Sequence, residues 1–273
     1  MGPDSIINHF ENLTDPREDN KRHNLIDIIV ITICAVICSA DKWEDIKAYG
    51  VAKEEGYRRF LELPHGIPSH DTIRRIFASL NPEEFNRCFL DWIETWKSSL
   101  GQDIINIDGK TLRHSYDSVH GKSAIHMVSA WASKAGIVLG QIKVDDKSNE
   151  ITAIPKLLDL LEIEDSIITI DAMGTQKKIA EKIIDKGADY VLALKGNQGT
   201  LKEDVDLYFQ DAVENNFTIA AFDYHKTVDK DHGRIEIREY WVTSDINWLE
   251  SKEEWKGLQS ICMVKSQRII GEL

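Results

Sequence analysis

Two rhythms of hydrophobic and polar positions run along this chain, and the change between them falls near residue 101. Through residues 1–100, apolar side chains recur every three or four positions, the spacing of helices that bury one face. The most apolar run is Leu25–Ala40, with Asn24 where a helix cap belongs. Trp43–Tyr49 and Ala52–Leu61 repeat the spacing. The turn residues of Leu63-Pro64-His65-Gly66-Ile67-Pro68 then break it. Ser69 predicts a cap for a helix to Leu80, with Ile73, Ile76, Phe77 and Leu80 on one face. Asn81-Pro82-Glu83-Glu84 supplies a cap, a first-turn proline and acids at the positive end of the helix dipole. That helix continues through Phe85, Phe89, Trp92, Ile93 and Trp96.

Beyond residue 101 the apolar runs shorten to strand length. Asp103–Asp108 closes on an acid, and Ala124–Ser133 with Ile137–Val144 predicts a hairpin turning at Gly136. Glu150–Leu161 reads as an amphipathic helix, with Pro155 tolerated only near a first turn. Ser166–Asp171 is a second apolar run ending in an acid. A helix over Thr175–Lys186, with Gly187 just past its end, leads to a buried strand at Asp189–Leu194. Three strands, helix, strand, helix, strand predicts an α/β domain with a mixed sheet flanked by helices. After Lys195-Gly196-Asn197-Gln198-Gly199 come a helix (Leu201–Val213) and strand-like segments at Ile219–Val228, Arg234–Thr243 and Leu258–Ser266. The expected organisation is a helical domain over 1–100, an α/β core over 101–199 and a β-rich insertion over 200–273.

Composition narrows the class. Apolar residues make up 42% of 273, enough for a sizeable core. Four scattered cysteines give no disulfide framework and point to a reducing compartment; Cys34 and Cys38, four apart on one helix face, read as core residues. Leu25–Ala40 is shorter than the ~20 residues that cross a bilayer and contains Asp27, and no signal peptide is visible, so a cytoplasmic protein is expected. A net charge of −13 weighs against a nucleic-acid partner, although the middle third is the least acidic and charges farther apart than about 8–10 Å are screened.

The candidate chemistry lies in two rhyming segments, IINID and IITID. Each is a buried strand ending in an aspartate, Asp108 and Asp171. In open α/β sheets ligands gather at the carboxyl ends of strands, and neighbouring strands lie ~4.8 Å apart. Two carboxylates there can share a hard divalent ion such as Mg²⁺, which activates an attacking oxygen and stabilises a leaving one in phosphodiester chemistry. Lys110, Arg113 and His114 follow Asp108, and Lys195 and Asn197 follow another strand end; all five are candidate DNA phosphate contacts. Arg74 and Arg75 stand on a helix behind a turn, which permits a helix-turn-helix reading. Gly109-Lys110-Thr111 is not a P-loop, because position 104 is isoleucine, and Lys110 replaces the second acid of a haloacid-dehalogenase-type phosphotransferase.

IDGKTLRHS (Ile107–Ser115), KSNEITAIP (Lys147–Pro155), TIDAMGTQKKIAEKI (Thr169–Ile183) and ALKGNQGTL (Ala193–Leu201) resemble the insertion-sequence transposases related to the H-repeat-associated proteins. DIIVITICAVICSADKWEDI and HGIPSHDTIRRIF resemble that family's N-terminal associated domain. The resemblance implies a ribonuclease-H-like core with an Asp-Asp-Glu triad, Mg²⁺ or Mn²⁺ as cofactor, DNA of transposon ends and target as partner, and a possible homodimer. Asp108 and Asp171 match the two aspartates. The family's glutamate lies in a stretch with tryptophan, histidine and asparagine after the β insertion, and no such stretch occurs here. The expectation is a C-terminally truncated transposase with impaired catalysis; the alternative is a non-catalytic DNA-binding or dimerising remnant. Glu236, in HGRIEIR, reads as a solvated or cross-strand-paired acid.

Overall fold

The computed structural model describes residues 4–18, 21–97, 102–112, 124–144, 149–231 and 234–270. The chain divides into two compact units, Met1–Gly101 and Gln102–Leu273.

The first unit is helical: α1 (Asp4–Phe10), α2 (Leu25–Ile37), α3 (Trp43–Tyr57), α4 (His70–Ser79) and α5 (Pro82–Lys97). Its centre is α2, whose Ile28, Ile29, Val30 and Ile31 are fully buried. The segments expected as two helices, 43–49 and 52–61, form the single α3, because Gly50 packs closely on Ile31 and Ile67 and tertiary contact overrides its weak helix propensity. Ser69 caps α4 by accepting from the Thr72 amide, and Asn81 Oδ1 accepts from the amides of Glu83 and Glu84. Asn24 occupies the cap position of α2 but turns its amide to Glu62 Oε2 instead. Cys34 is half-buried and Cys38 exposed, so only the first approaches the expected core role; both are free thiols.

The second unit is built on β1 (Ile104–Thr111), β2 (His126–Ala132), β3 (Ile137–Lys143), β4 (Ile167–Ile170) and β5 (Asp189–Leu192). They form one mixed sheet in the order β3-β2-β1-β4-β5, with β2 antiparallel to both neighbours and β1, β4 and β5 parallel. This is the ribonuclease-H-like arrangement that the resemblance implied. The helices α6 (Glu150–Leu160) and α7 (Lys177–Asp185) cover one face, over Ile105, Ile107, Val128, Ala130, Ile168 and Ile170. Pro155 stands inside α6, beyond the first turn to which the sequence confined it. The packing of Ala153, Ile154, Leu157 and Leu158 holds the helix through the lost hydrogen bond. On the other sheet face Ile104, Trp131, Ile167 and Val191 are exposed.

After α8 (Gly199–Glu214), the strands β6 (Asp223–Asp231), β7 (Arg234–Thr243) and β8 (Ile261–Ile270) form a separate antiparallel sheet in the order β6-β7-β8. Val205, Phe209, Ile246 and Ile261 make its small core, with Phe217 stacked on Trp241 at 4.7 Å. No described helix is long and apolar enough to cross a membrane.

Candidate active site

The β1–β4 ladder ends at the pair Ile107↔Ile170. Asp108 and Asp171 are the next residue on each strand, so both acids stand at equivalent positions on adjacent strand ends, ~4.8 Å being the usual strand spacing. Burial explains why these strands run side by side. Ile105, Ile107, Ile168 and Ile170 point under α6 and α7, and a one-residue slip of either strand would turn its own two isoleucines to the opposite face. Both aspartates are exposed.

Local structure orients each carboxylate differently. Asp171 Oδ1 accepts the amides of Met173 (3.0 Å) and Gly174 (3.3 Å), an Asx-type turn that fixes the carboxylate as the chain leaves β4. Thr175 Oγ1 donates to the Ala193 carbonyl and Asn197 Nδ2 to the Ala172 carbonyl, tying the loops after β4 and β5 together. Asn197, singled out as a phosphate contact, therefore has its amide engaged in holding the Asp171 loop. Lys195 is exposed just before it. Lys110 lies on the Asp108 face of β1, its Nζ 3.9 Å from Asp108 Oδ2. Arg113 and His114 lie outside the described residues.

Arg74 and Arg75 belong to the first unit, on α4, where Arg74 pairs loosely with Asp71 (3.6 Å) and Arg75 Nε donates to the Asp71 carbonyl. The connection from α3 to α4 covers 58–69, longer than the roughly three- or four-residue turn of a helix-turn-helix. Glu236 is held by Arg268 across the β7–β8 pair (2.7 Å), with Arg238 at 2.8 Å and Arg234 at 3.3 Å. The Arg268 hydrogen bonds keep its carboxyl below the usual range, as expected of a cross-strand-paired acid.

Sequence reasoning missed two supports at the ends of β1. Asp103, 7% exposed, precedes the strand. Burial alone would raise its pKa, but the amides of Lys134, Ala135 and Ile104 together bring it below the ordinary value. At the other end, His126 Nε2 lies 2.6 Å from Glu150 Oε1, and its Nδ1 lies 2.9 Å from Thr111 Oγ1. The Asp103 signal was an acid directly before a buried strand; the His126–Glu150 pair spans 24 positions and carried no local signal.

Chemically, two exposed carboxylates at one sheet edge fit a hard divalent cation, which takes one or two carboxylates and completes its shell with water and phosphate oxygens. Among the described residues, no group of three or more His, Cys, Asp or Glu side chains gathers at one point.

Residues 7–93 match the family profile described as DDE_Tnp_1-associated, and residues 99–257 match the transposase DDE domain. An uncharacterized protein in the dhlA 3′ region of Xanthobacter autotrophicus is 43% identical over 95% of this chain and 87% of its own length. In Escherichia coli (strain K12), YhhI, described as a candidate H repeat-associated transposase, is 43% identical over 97% of this chain and 70% of its own. YncI of Escherichia coli O157:H7, described as a candidate transposase, is 42% identical over 98% of this chain and 68% of its own.

Proposed function

This chain belongs to the transposases with a DDE domain, and from that premise we propose that it acts on the phosphodiester backbone of insertion-sequence DNA with a divalent metal ion held at Asp108 and Asp171. The observation that carries the reading is the β1–β4 register, which sets the two acids at equivalent positions on neighbouring strand ends. When bound, Mg²⁺ or Mn²⁺ would supply Lewis-acid polarisation of the scissile phosphate.

The protein's own contributions follow from the geometry. The amides of Met173 and Gly174 hold Asp171 Oδ1, leaving the carboxylate aimed rather than free to rotate. In this reading Lys110, beside Asp108, and the exposed Lys195 meet phosphate oxygens of the bound strand. This reading gives Glu236 no part in catalysis, its carboxylate being paired with arginines on the three-stranded sheet.

The test is a nicking assay on DNA carrying insertion-sequence ends, with Mg²⁺ or Mn²⁺ against EDTA. Metal-dependent cleavage that Asp108→Ala and Asp171→Ala each reduce by about a hundredfold or more supports the reading. Cleavage undiminished in either variant refutes it.

A further inference from the structure

We propose that Glu150, held by His126, is a positioning residue that fixes the end of β1 and so the placement of Asp108; this rests on the metal-site reading above. β1 outruns its parallel neighbour. Its ladder with β4 stops at Ile107, whereas its antiparallel ladder with β2 continues to Thr111↔His126. Residues 108–111 are therefore an overhang, supported by β2 on one side and past the last β4 pair on the other.

The peptide directions follow a simple alternation. The Ile104 carbonyl accepts from Ser133 and the Leu112 amide donates to Ile125, so even-numbered residues bond towards β2. The Asp103 carbonyl accepts from Ile167, so odd-numbered residues face β4. Gly109, immediately after the first aspartate, therefore turns its peptide groups to the side where β4 has ended.

Glu150, the first residue of α6, packs on that point. A Cβ added to Gly109 would collide with the Glu150 carboxylate, at Oε1 and Cδ. The carboxylate thus lies flush on the strand, with only a glycine leaving room for it. Its side chain is 13% exposed, and His126 Nε2 meets it at 2.6 Å. The histidine's other nitrogen meets Thr111 Oγ1 at 2.9 Å. One hydrogen-bonded chain thus links the start of α6, the start of β2 and the end of β1. Side chains alternate along a strand, so Asp108 projects from the face opposite Glu150. Glu150 acts on the aspartate through the backbone, not by touching the ion.

The experiment is Mn²⁺ titration of the full chain, followed by electron paramagnetic resonance, with melting temperature recorded for each variant. Wild type should bind Mn²⁺ in a way that Asp108→Ala abolishes. Glu150→Ala should weaken binding roughly tenfold, the loss typical when an outer support of a metal site is removed. Glu150→Gln, which can still accept from His126, should retain most of the affinity, and Gly109→Ala, which displaces the carboxylate by bulk, should weaken it as Glu150→Ala does. Asp103→Ala controls for stability alone: it removes a buried acceptor at the opposite end of the same strand and should lower the melting temperature without weakening Mn²⁺ binding.

Wild-type affinity in Glu150→Ala, or equal weakening in Asp103→Ala, overturns the proposal. Wild type that shows no Asp108-dependent Mn²⁺ binding overturns the metal-site reading first, and the positioning role with it. That outcome is separable because it appears before any Glu150 variant is compared.

Discussion

Asp27 is 2% exposed on the most apolar helix of the chain, where a carboxylate is costly unless it is satisfied. It accepts the Leu63 amide at 3.0 Å, fixing the loop that the Pro64–Pro68 turn begins. Burial dominates and raises its pKa, with the Leu63 hydrogen bond opposing. The sign follows: an acid with a raised folded pKa contributes stability that is complete at low pH and lost as pH rises through the raised value. Asp27→Asn keeps an acceptor oxygen and cannot ionise. Its unfolding free energy should therefore match or exceed wild type at neutral pH and lack that part of the pH slope, as urea melts across pH would record. Asp27→Leu strands the Leu63 amide and should cost about 1–3 kcal/mol in the same measurement. In the sequence this residue served only to weigh against a membrane span. Its hydrogen-bonding role was not legible because its partner lies 36 positions away.

Among elements, α6 is where sequence and structure part most clearly. Pro155 argued for a helix confined near its first turn, yet α6 runs from Glu150 to Leu160 with the proline inside. Four buried side chains outweigh the missing amide, which would have met the Ile151 carbonyl. Pro155→Ala should restore that bond and raise stability by roughly 1–3 kcal/mol in thermal or urea melts, whereas a loss would show that the proline ring itself packs. Elements with strong local chemistry were readable: Ser69 and Asn81 cap the helices they precede, and the two apolar runs ending in aspartate became β1 and β4. Their adjacency in space was not readable. It depends on a parallel pairing across more than sixty residues, which no local pattern encodes. The late strands were displaced by a few residues: Ile219–Val228 became Asp223–Asp231, and Leu258–Ser266 became Ile261–Ile270. Both lie on a sheet whose side chains are mostly exposed, so burial set their limits only weakly.

For the molecule as a whole, the net charge of −13 stands against the anionic partner that the family implies. Among the described residues, Lys110 and Lys195 are the cations proposed for DNA contact at the strand ends, and two such contacts neutralise little charge. We therefore predict weak binding with a shallow salt dependence, since each neutralised phosphate adds close to one to the slope of log affinity against log salt. A fluorescence-anisotropy titration at several salt concentrations checks this, and a slope near that of a protein with many phosphate contacts would contradict it. One further consequence comes from the sheet face opposite α6 and α7. Trp131 pairs with Asn106 there and is 42% exposed, two residues along from the Asp108↔Ser129 pair, ~7 Å at the usual strand rise. An indole so placed is a native optical probe: its emission would shift to shorter wavelength whenever another molecule settled over that surface and drove off solvent. Comparison with Trp131→Phe would separate this signal from that of the other six tryptophans.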